Sequence, residues 1–322
     1  MKLLITGGFG FLGGRLAQFL AAEGNHEILL GSRQRDEPPA WLPQARTVRL
    51  RWDSPGSLDD ALGGADAVVH LAGMNAEECA STPLAALECN AVATGRLLHA
   101  AVRQGVKRFV YLSTAHVYGS PLAGRITEDT CPLSLHPYAT SHRAGEDLVR
   151  AAHRKREIEG VVVRLSNAFG APVHKDVNCW MLLVNDLCRQ SVTARRLVLR
   201  SSGLQRRDFI TLTDACGAIG HLVALSREAL ADGLFNVGGG WSPSVLEMTE
   251  RIAERVYCMT GNRPAIRRKE DGYDESHGML DYSSEKIAGT GFESRGDRNV
   301  DQEIDRLVLF CMEHFAENSC GR

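Results

Sequence analysis

Two groups of residues in this chain have the types and spacing to do chemistry. Gly7, Gly10 and Gly13 recur every third residue, directly after the apolar run Leu3-Leu4-Ile5. Glycines at such a turn let the backbone fold tightly and come close to a phosphate. A helix starting there adds unpaired N–H groups and the positive end of its dipole. The chemistry that fits is the holding of a pyrophosphate. Thr114, Tyr138 and His142 form the second group. A hydroxyl, a phenol and an imidazole can pass a proton to or from a bound alcohol or carbonyl. Tyr138 and His142 are four residues apart, so they share a face of a helix that begins near Pro137.

Both groups need elements that present them. Leu3, Leu4 and Ile5 read as a strand buried on both faces. Leu12, Leu16, Phe19 and Leu20 fall on one face of a following helix that Gly24 can end. Further strands are expected over residues 26–30, 47–50, 67–73 and 109–112, with helices through Leu58 and Leu62 and from Leu84 through Asn90 to Leu98. Strands alternating with helices through residue 150 predict an α/β fold with a doubly wound, mostly parallel sheet. Thr114 then stands at a strand's carboxyl end, where open sheets of this kind bind ligands. Beyond residue 171 the pattern loosens. Helices are expected over 178–189, 215–225 (capped by Thr213-Asp214) and 299–315, with a strand over 195–200.

The end of the second strand bears on the ligand. About twenty residues past the glycine turn, an acid would hold the ribose 2′-hydroxyl of NAD, whereas an arginine accommodates the 2′-phosphate of NADP. Here the residues are Gly31-Ser32-Arg33, with Arg35 close by. NADP is favoured over NAD.

Composition narrows the class. The hydrophobic and charged fractions, 44% and 24%, are those of an ordinary soluble protein, and 322 residues supply ample core. A formal net charge of -2 gives no reason to expect nucleic acid or a membrane surface as partner. No apolar window has transmembrane length, and a strand beginning at Lys2 leaves no room for a signal peptide, so a cytoplasmic location is expected. The nine cysteines are odd in number, scattered and without a C-x-x-C pair. Neither a disulfide framework nor a metal site is expected.

Taken in order, the motifs resemble those of the extended short-chain dehydrogenase/reductases, in the NAD(P)-dependent epimerase/dehydratase branch that acts mainly on nucleotide sugars. The likeness runs over most of the chain. Gly7-x-x-Gly10-x-x-Gly13 matches the glycine motif, and Asp53 matches the acid that contacts adenine. Leu71-Ala72-Gly73 and Asn90 match the next landmarks. Ser113-Thr114-Ala115-His116-Val117-Tyr118-Gly119 is similar to the catalytic segment, with Thr114 in the catalytic slot. Pro137-Tyr138 resembles the start of the Tyr-x-x-x-Lys motif. The segments 164–170, 207–210 and 235–238 complete the order.

The resemblance implies a Rossmann-type dinucleotide-binding domain over residues 1–170. A mainly substrate-binding α/β region would span 171–322, with segments around 206–240 returning to the first domain. It implies cofactor contacts from Gly7, Gly10, Phe11, Leu12, Gly13, Ser32, Arg33, Asp53, Leu71, Ala72, Gly73, Asn90, Tyr138 and His142. It assigns substrate contacts to His116, Asn167 and Arg207, the last to the nucleotide diphosphate; an ion pair of Arg207 with Asp208 or a neighbouring carboxylate is the competing reading. Arg267, Arg268, Asp271 and Asp274 are all open as the residues that grip the base or ribose. It also implies a homodimer through a four-helix bundle, for which Leu87, Ala91, Leu97 and Leu98 on one helix and Leu148, Val149 and Ala152 on another are the candidates.

Two departures shape the functional expectation. His142 replaces the motif lysine, whose permanent charge lowers the tyrosine pKa; histidine, with an ordinary pKa near ~6.5, is shorter and mostly neutral at pH 7. Ala115-His116 stands where the sugar 4,6-dehydratases carry Asp-Glu, which argues against elimination of water. The expected function is 4-epimerisation or keto-sugar reduction on a nucleotide sugar through Tyr138 and Thr114. The alternative is a dinucleotide-binding regulatory or scaffold protein of the same fold, released from catalysis by loss of the lysine.

Overall fold

A computed structural model describes residues 1–269 and 278–316. The first half runs β1 (Lys2–Thr6), α1 (Phe11–Ala22), β2 (Glu27–Ser32), β3 (Arg46–Arg49), α2 (Pro55–Leu62) and β4 (Ala67–His70). It continues with α3 (Ala76–Ser81), α4 (Pro83–Leu87), α5 (Ala93–Arg103), β5 (Arg108–Thr114), β6 (Gly124–Ile126) and α6 (Pro137–Arg154). Then come β7 (Glu159–Leu165), β8 (Asn167–Phe169), α7 (Leu183–Thr193), β9 (Arg196–Val198), β10 (Phe209–Thr211) and α8 (Leu212–Ala224). The last elements are β11 (Leu234–Val237), α9 (Val245–Thr260), β12 (Ala265–Arg267), β13 (Leu280–Tyr282), α10 (Glu285–Ala288) and α11 (Val300–Phe315).

Seven parallel strands form the central sheet in the order β11-β7-β5-β4-β1-β2-β3. The apolar run in β1 explains its central place. Leu3 and Ile5 point into one core with Leu16 and Leu20 of α1 and Leu222 of α8, while Leu4 points into the other with Leu58, Leu97 and Val149. This is the period-two alternation of a strand covered by helices on both faces. The order reverses between β1 and β4, and there the ligand crevice of a doubly wound sheet opens at the carboxyl ends. The glycine turn, Leu71-Ala72-Gly73 and Thr114 all leave the sheet at that end.

A third core lies C-terminal to the sheet, where Leu187 of α7, Ile252 of α9 and Leu307 of α11 meet Phe169 and Phe209. β8 and β10 pair beside it, and β11 returns to the edge of the main sheet against β7. Arg15 of α1 reaches across to this layer. Its guanidinium donates to Glu303 Oε1 at 3.0 Å, to the Ala171 carbonyl at 2.8 Å and to Thr213 Oγ1 at 3.2 Å. Thr213 in turn donates to Glu303 Oε2 at 2.6 Å, and a Cβ on Gly170 would stand 2.3 Å from Glu303 Oε1.

Several expected elements shift. The helix expected from Leu84 to Leu98 forms as one continuous stretch from Pro83 to Arg103, with a π turn over Glu88–Val92 between α4 and α5. The extra residue of a π turn rotates the next stretch of helix about its axis, and it brings Asn90 inward. The helix expected over 178–189 starts at Leu183, because 174–182 is taken up by turns closed by Cys179 N–H to the Val177 carbonyl and Leu182 N–H to the Cys179 carbonyl. The helix expected from 215 begins at Leu212, since Thr211, not Thr213, is its cap and accepts from the Asp214 N–H at 3.0 Å. The strand over 195–200 shortens to β9. Of the residues named for a subunit interface, Ala91, Leu97, Leu98, Val149 and Ala152 are buried within the protomer, whereas Leu87 and Leu148 are exposed. Among the described residues no helix is long and apolar enough to cross a membrane.

Candidate active site

A cleft of about 1350 Å³ runs along the carboxyl ends of the strands. At one end the glycine spacing is forced by contact. Gly7 has φ +68°, and its carbonyl accepts the Gly10 N–H at 2.8 Å. A Cβ on Gly13 would sit 2.2 Å from that same carbonyl oxygen, and one on Gly7 would sit 2.9 Å from the Ala72 nitrogen. Gly10 begins α1 without a side-chain cap. The first turn, with Phe11 and Leu12, therefore faces the cleft with its N–H groups open to an anion. These features fit a dinucleotide pyrophosphate.

Next to it, Ser32 Oγ accepts the N–H groups of Gln34 at 3.2 Å and Arg35 at 2.8 Å, which fixes the turn that displays Arg33 and Arg35 to the cleft. Arg35 lies 5.0 Å from the centroid of the Phe9 ring. The next acid along the chain, Asp36, is bound to Arg49 at 2.8 Å. Asp53 is exposed at the rim, next to Trp52, which lines the cleft with its ring 5.8 Å from that of His70. Asn90 also lies beneath the lining. Its Oδ1 accepts the Met74 N–H at 2.9 Å and its Nδ2 donates to Ser141 at 3.0 Å, so it braces the loop after Leu71-Ala72-Gly73.

At the other end Thr114 closes β5, and α6 starts at Pro137, which places Tyr138 and His142 one turn apart beside it. The two rings meet edge-on with centroids 4.6 Å apart. His142 is buried, and its Nδ1 pairs with the Tyr111 hydroxyl at 3.0 Å. Burial, helped by neighbouring His116, pushes its pKa down to about 4, so the ring is uncharged at neutral pH. Burial also raises the Tyr138 pKa, which the adjacent Thr114 hydroxyl only partly opposes. The pair at rest is a neutral imidazole and a protonated phenol. The array continues inward: Tyr111 donates to the Asn90 carbonyl at 3.1 Å, Thr94 to the same carbonyl at 2.8 Å, and His70 joins Thr94 at 3.0 Å and Thr6 at 2.6 Å.

The substrate candidates line the same end. His116 is exposed, its ring 6.2 Å from that of Tyr138, and its N–H donates to Thr114 Oγ1 at 3.2 Å. Asn167 donates to the Asp208 carbonyl at 2.8 Å. Arg207 is half-buried and has no ion-pair partner among the described residues; the pairing with Asp208 does not form. Asp208 turns away to accept the Gly239 N–H at 2.8 Å, and its burial raises the carboxyl pKa to about 7. Arg267 and Arg268 lie outside the cleft lining, and Asp271 and Asp274 fall outside the described residues.

Sequence reasoning passed over the platform under Thr114. Ser113 donates to Glu146, which takes the guanidinium of Arg164 at 2.6 Å, and Arg164 reaches the Tyr118 hydroxyl at 2.8 Å. Every member is buried. The signal was present in the spacing, since Tyr138, His142 and Glu146 repeat every fourth residue on one face of α6.

The model of the NAD-dependent epimerase/dehydratase family matches residues 3–238. The dTDP-glucose 4,6-dehydratase of an Actinoplanes species is 30% identical over 315 residues, covering 92% of this chain and 94% of that protein. Among solved structures, MoeE5 in complex with UDP-glucuronic acid and NAD aligns at TM-score 0.77 and 25% identity, over 97% of this chain and 99% of that one. RMD from Pseudomonas aeruginosa, complexed with NADPH, aligns at TM-score 0.77 and 24% identity over the same shares. The glycine turn, the switch-point cleft and the Thr114–Tyr138 corner lie within the matched span, and the chain belongs to the NAD-dependent epimerase/dehydratase family.

Proposed function

We propose that the protein is an NADP-dependent reductase of a keto nucleotide sugar. The observation that carries this reading is the resting state of the corner: a protonated Tyr138 beside a neutral His142. A phenol without a neighbouring cation is poorly placed to take a proton from an alcohol and well placed to give one to a carbonyl oxygen. In this reading Tyr138 donates to the sugar oxygen, and Thr114 holds that oxygen. Arg207, with no ion partner among the described residues, meets the diphosphate. His116 and Asn167 border the sugar. The bound cofactor supplies the hydride. Gly7, Gly10, Phe11, Leu12, Gly13, Ala72 and Gly73 would surround it, and Ser32, Arg33 and Arg35 would meet a 2′-phosphate. MoeE5, bound to UDP-glucuronic acid and NAD, supports a nucleotide sugar and a nicotinamide dinucleotide as the ligand classes; the preference for the phosphorylated cofactor rests on Arg33 and Arg35.

Epimerisation at C4 is the second reading. It needs the same corner to run in the oxidative direction first. The Actinoplanes relative is named a dehydratase, but Ala115-His116 leaves this chain without an acid pair beside Thr114. We propose a homodimer in which Leu84, Leu87 and Leu148, exposed on the adjacent α4 and α6, are covered by a second copy. The test of function is to mix the protein with NADPH or NADH and a panel of 4-keto nucleotide sugars, following loss of reduced-cofactor absorbance. Turnover with NADPH that disappears in Tyr138→Phe supports the reading. Tight NADPH binding with no turnover across the panel would instead favour a binding protein.

A further inference from the structure

We infer that His116 is the group through which the Tyr138 phenol exchanges its proton with solvent. The inference rests on the reductive reading, in which Tyr138 must recover a proton in every turnover. The inner side of the phenol leads into a buried array. His142 leads to Tyr111, the Asn90 carbonyl, Thr94, His70 and Thr6, and from Tyr111 onward each residue is at most 1% exposed. The last of them, Thr6, accepts the Ala72 N–H at 3.3 Å, so the array ends inside the sheet. It can hold the rings in place; beyond His142, only His70 of its members also lines the cleft, at 1% exposure.

The outer side is different. His116 is exposed, its ring is edge-on to Tyr138, and its backbone N–H is bound to the Thr114 hydroxyl that Tyr138 also meets. The groups facing this imidazole are Arg207 from the segment before β10, His136 ahead of α6, and Tyr138 and His142 on α6. The crowding of the cleft, then Arg207, then His136 hold its pKa below the ordinary value. At neutral pH the ring is uncharged, with one N–H to give and one lone pair to receive. Once the phenol has lost its proton, the free ring nitrogen takes a proton from hydronium or buffer. The imidazolium so formed gives its original N–H proton to the phenolate, the phenol O–H re-forms, and the ring ends uncharged in its other tautomer.

The test is the exchange of the Tyr138 hydroxyl proton in the cofactor-free protein. It can be read by NMR from the carbon-13 signal of Cζ-labelled tyrosine in mixed light and heavy water, with Tyr138→Phe assigning the resonance. His116→Gln should slow exchange by roughly 100-fold, the lower range of a positioned proton donor, and imidazole added to the solvent should restore it. An unchanged rate, or a slowing that imidazole does not relieve, overturns the inference. In turnover the same variant should lose steady-state rate, and added imidazole should restore it. A wild type that exchanges through His116 yet reduces no keto sugar sinks the reductive reading and leaves the relay standing.

Discussion

The two ends of the cleft are built from different material. At the pyrophosphate end, backbone does the work: the glycine spacing, the open N-terminus of α1 and the close approach of Gly7 to Ala72 define the site with almost no side chains. At the tyrosine end, side chains do it, and their protonation is set by what surrounds them. The difference teaches where a sequence is readable. A backbone site constrains residue type outright, since only glycine fits, whereas a side-chain site fixes identity but leaves the charge state to burial.

The largest expected effect breaks the comparison at the tyrosine end. Tyr138→Phe removes the transferable proton and should lower turnover by roughly 10²–10⁴-fold while NADPH affinity, measured by titration calorimetry, stays unchanged. A parallel loss of cofactor affinity would mean that the two ends are not separable.

Acid lability should be nearly as large. His142 and His70 have pKa values lowered by burial to about 4 and about 3. Below pH ~6.5 the unfolded chain takes up protons that the fold refuses, so stability is full above that pH and falls as pH drops towards 4. His142 alone contributes on the order of 3 kcal/mol to this slope. Asp208 acts in the opposite sense: with its pKa raised to about 7, it binds a proton in the fold before it does in the unfolded chain, and it costs stability as pH rises from ~4 to 7. Urea unfolding from pH 4 to 7 should show a shallower slope in His142→Gln than in the wild type.

At the backbone end, Arg33→Ala should weaken NADPH by about 1.5–3 kcal/mol and leave NADH unchanged, as expected for one charge-assisted bond to phosphate. Equal weakening of both cofactors would show that Arg33 only shapes the turn. The smallest effect sharpens the contrast. His142→Lys places a cation beside Tyr138 and should lower the phenol pKa by roughly 1–3 units, visible in a phenolate absorbance titration, with a matching gain in alcohol oxidation. Should the phenol pKa stay where it is, burial rather than the missing charge controls this corner.

Much of the fold was legible. The apolar runs of β1 and β4, the glycine turn and the alternation of strands and helices located the sheet and the cleft, because buried parallel strands and tight turns admit few residue types. Helix starts were less so. Thr211 rather than Thr213 caps α8, and nothing local distinguishes two threonines two residues apart. In the site, Thr114, Tyr138 and His142 could be nominated from spacing. The buried array behind them could not, because Thr6, His70, Thr94 and Tyr111 come from four elements that only the fold brings together.

The clamp between Arg15, Thr213 and Glu303 ties the two layers of the molecule together. Arg15 lies in α1 and Glu303 in α11, 288 residues apart in sequence, so the helix that faces the glycine turn leans on a carboxylate of the other layer. Glu303 is fully buried, and losing it would leave Arg15 only the Ala171 carbonyl and the Thr213 hydroxyl. A change far from the cleft in sequence can thus loosen the seat of the phosphate turn.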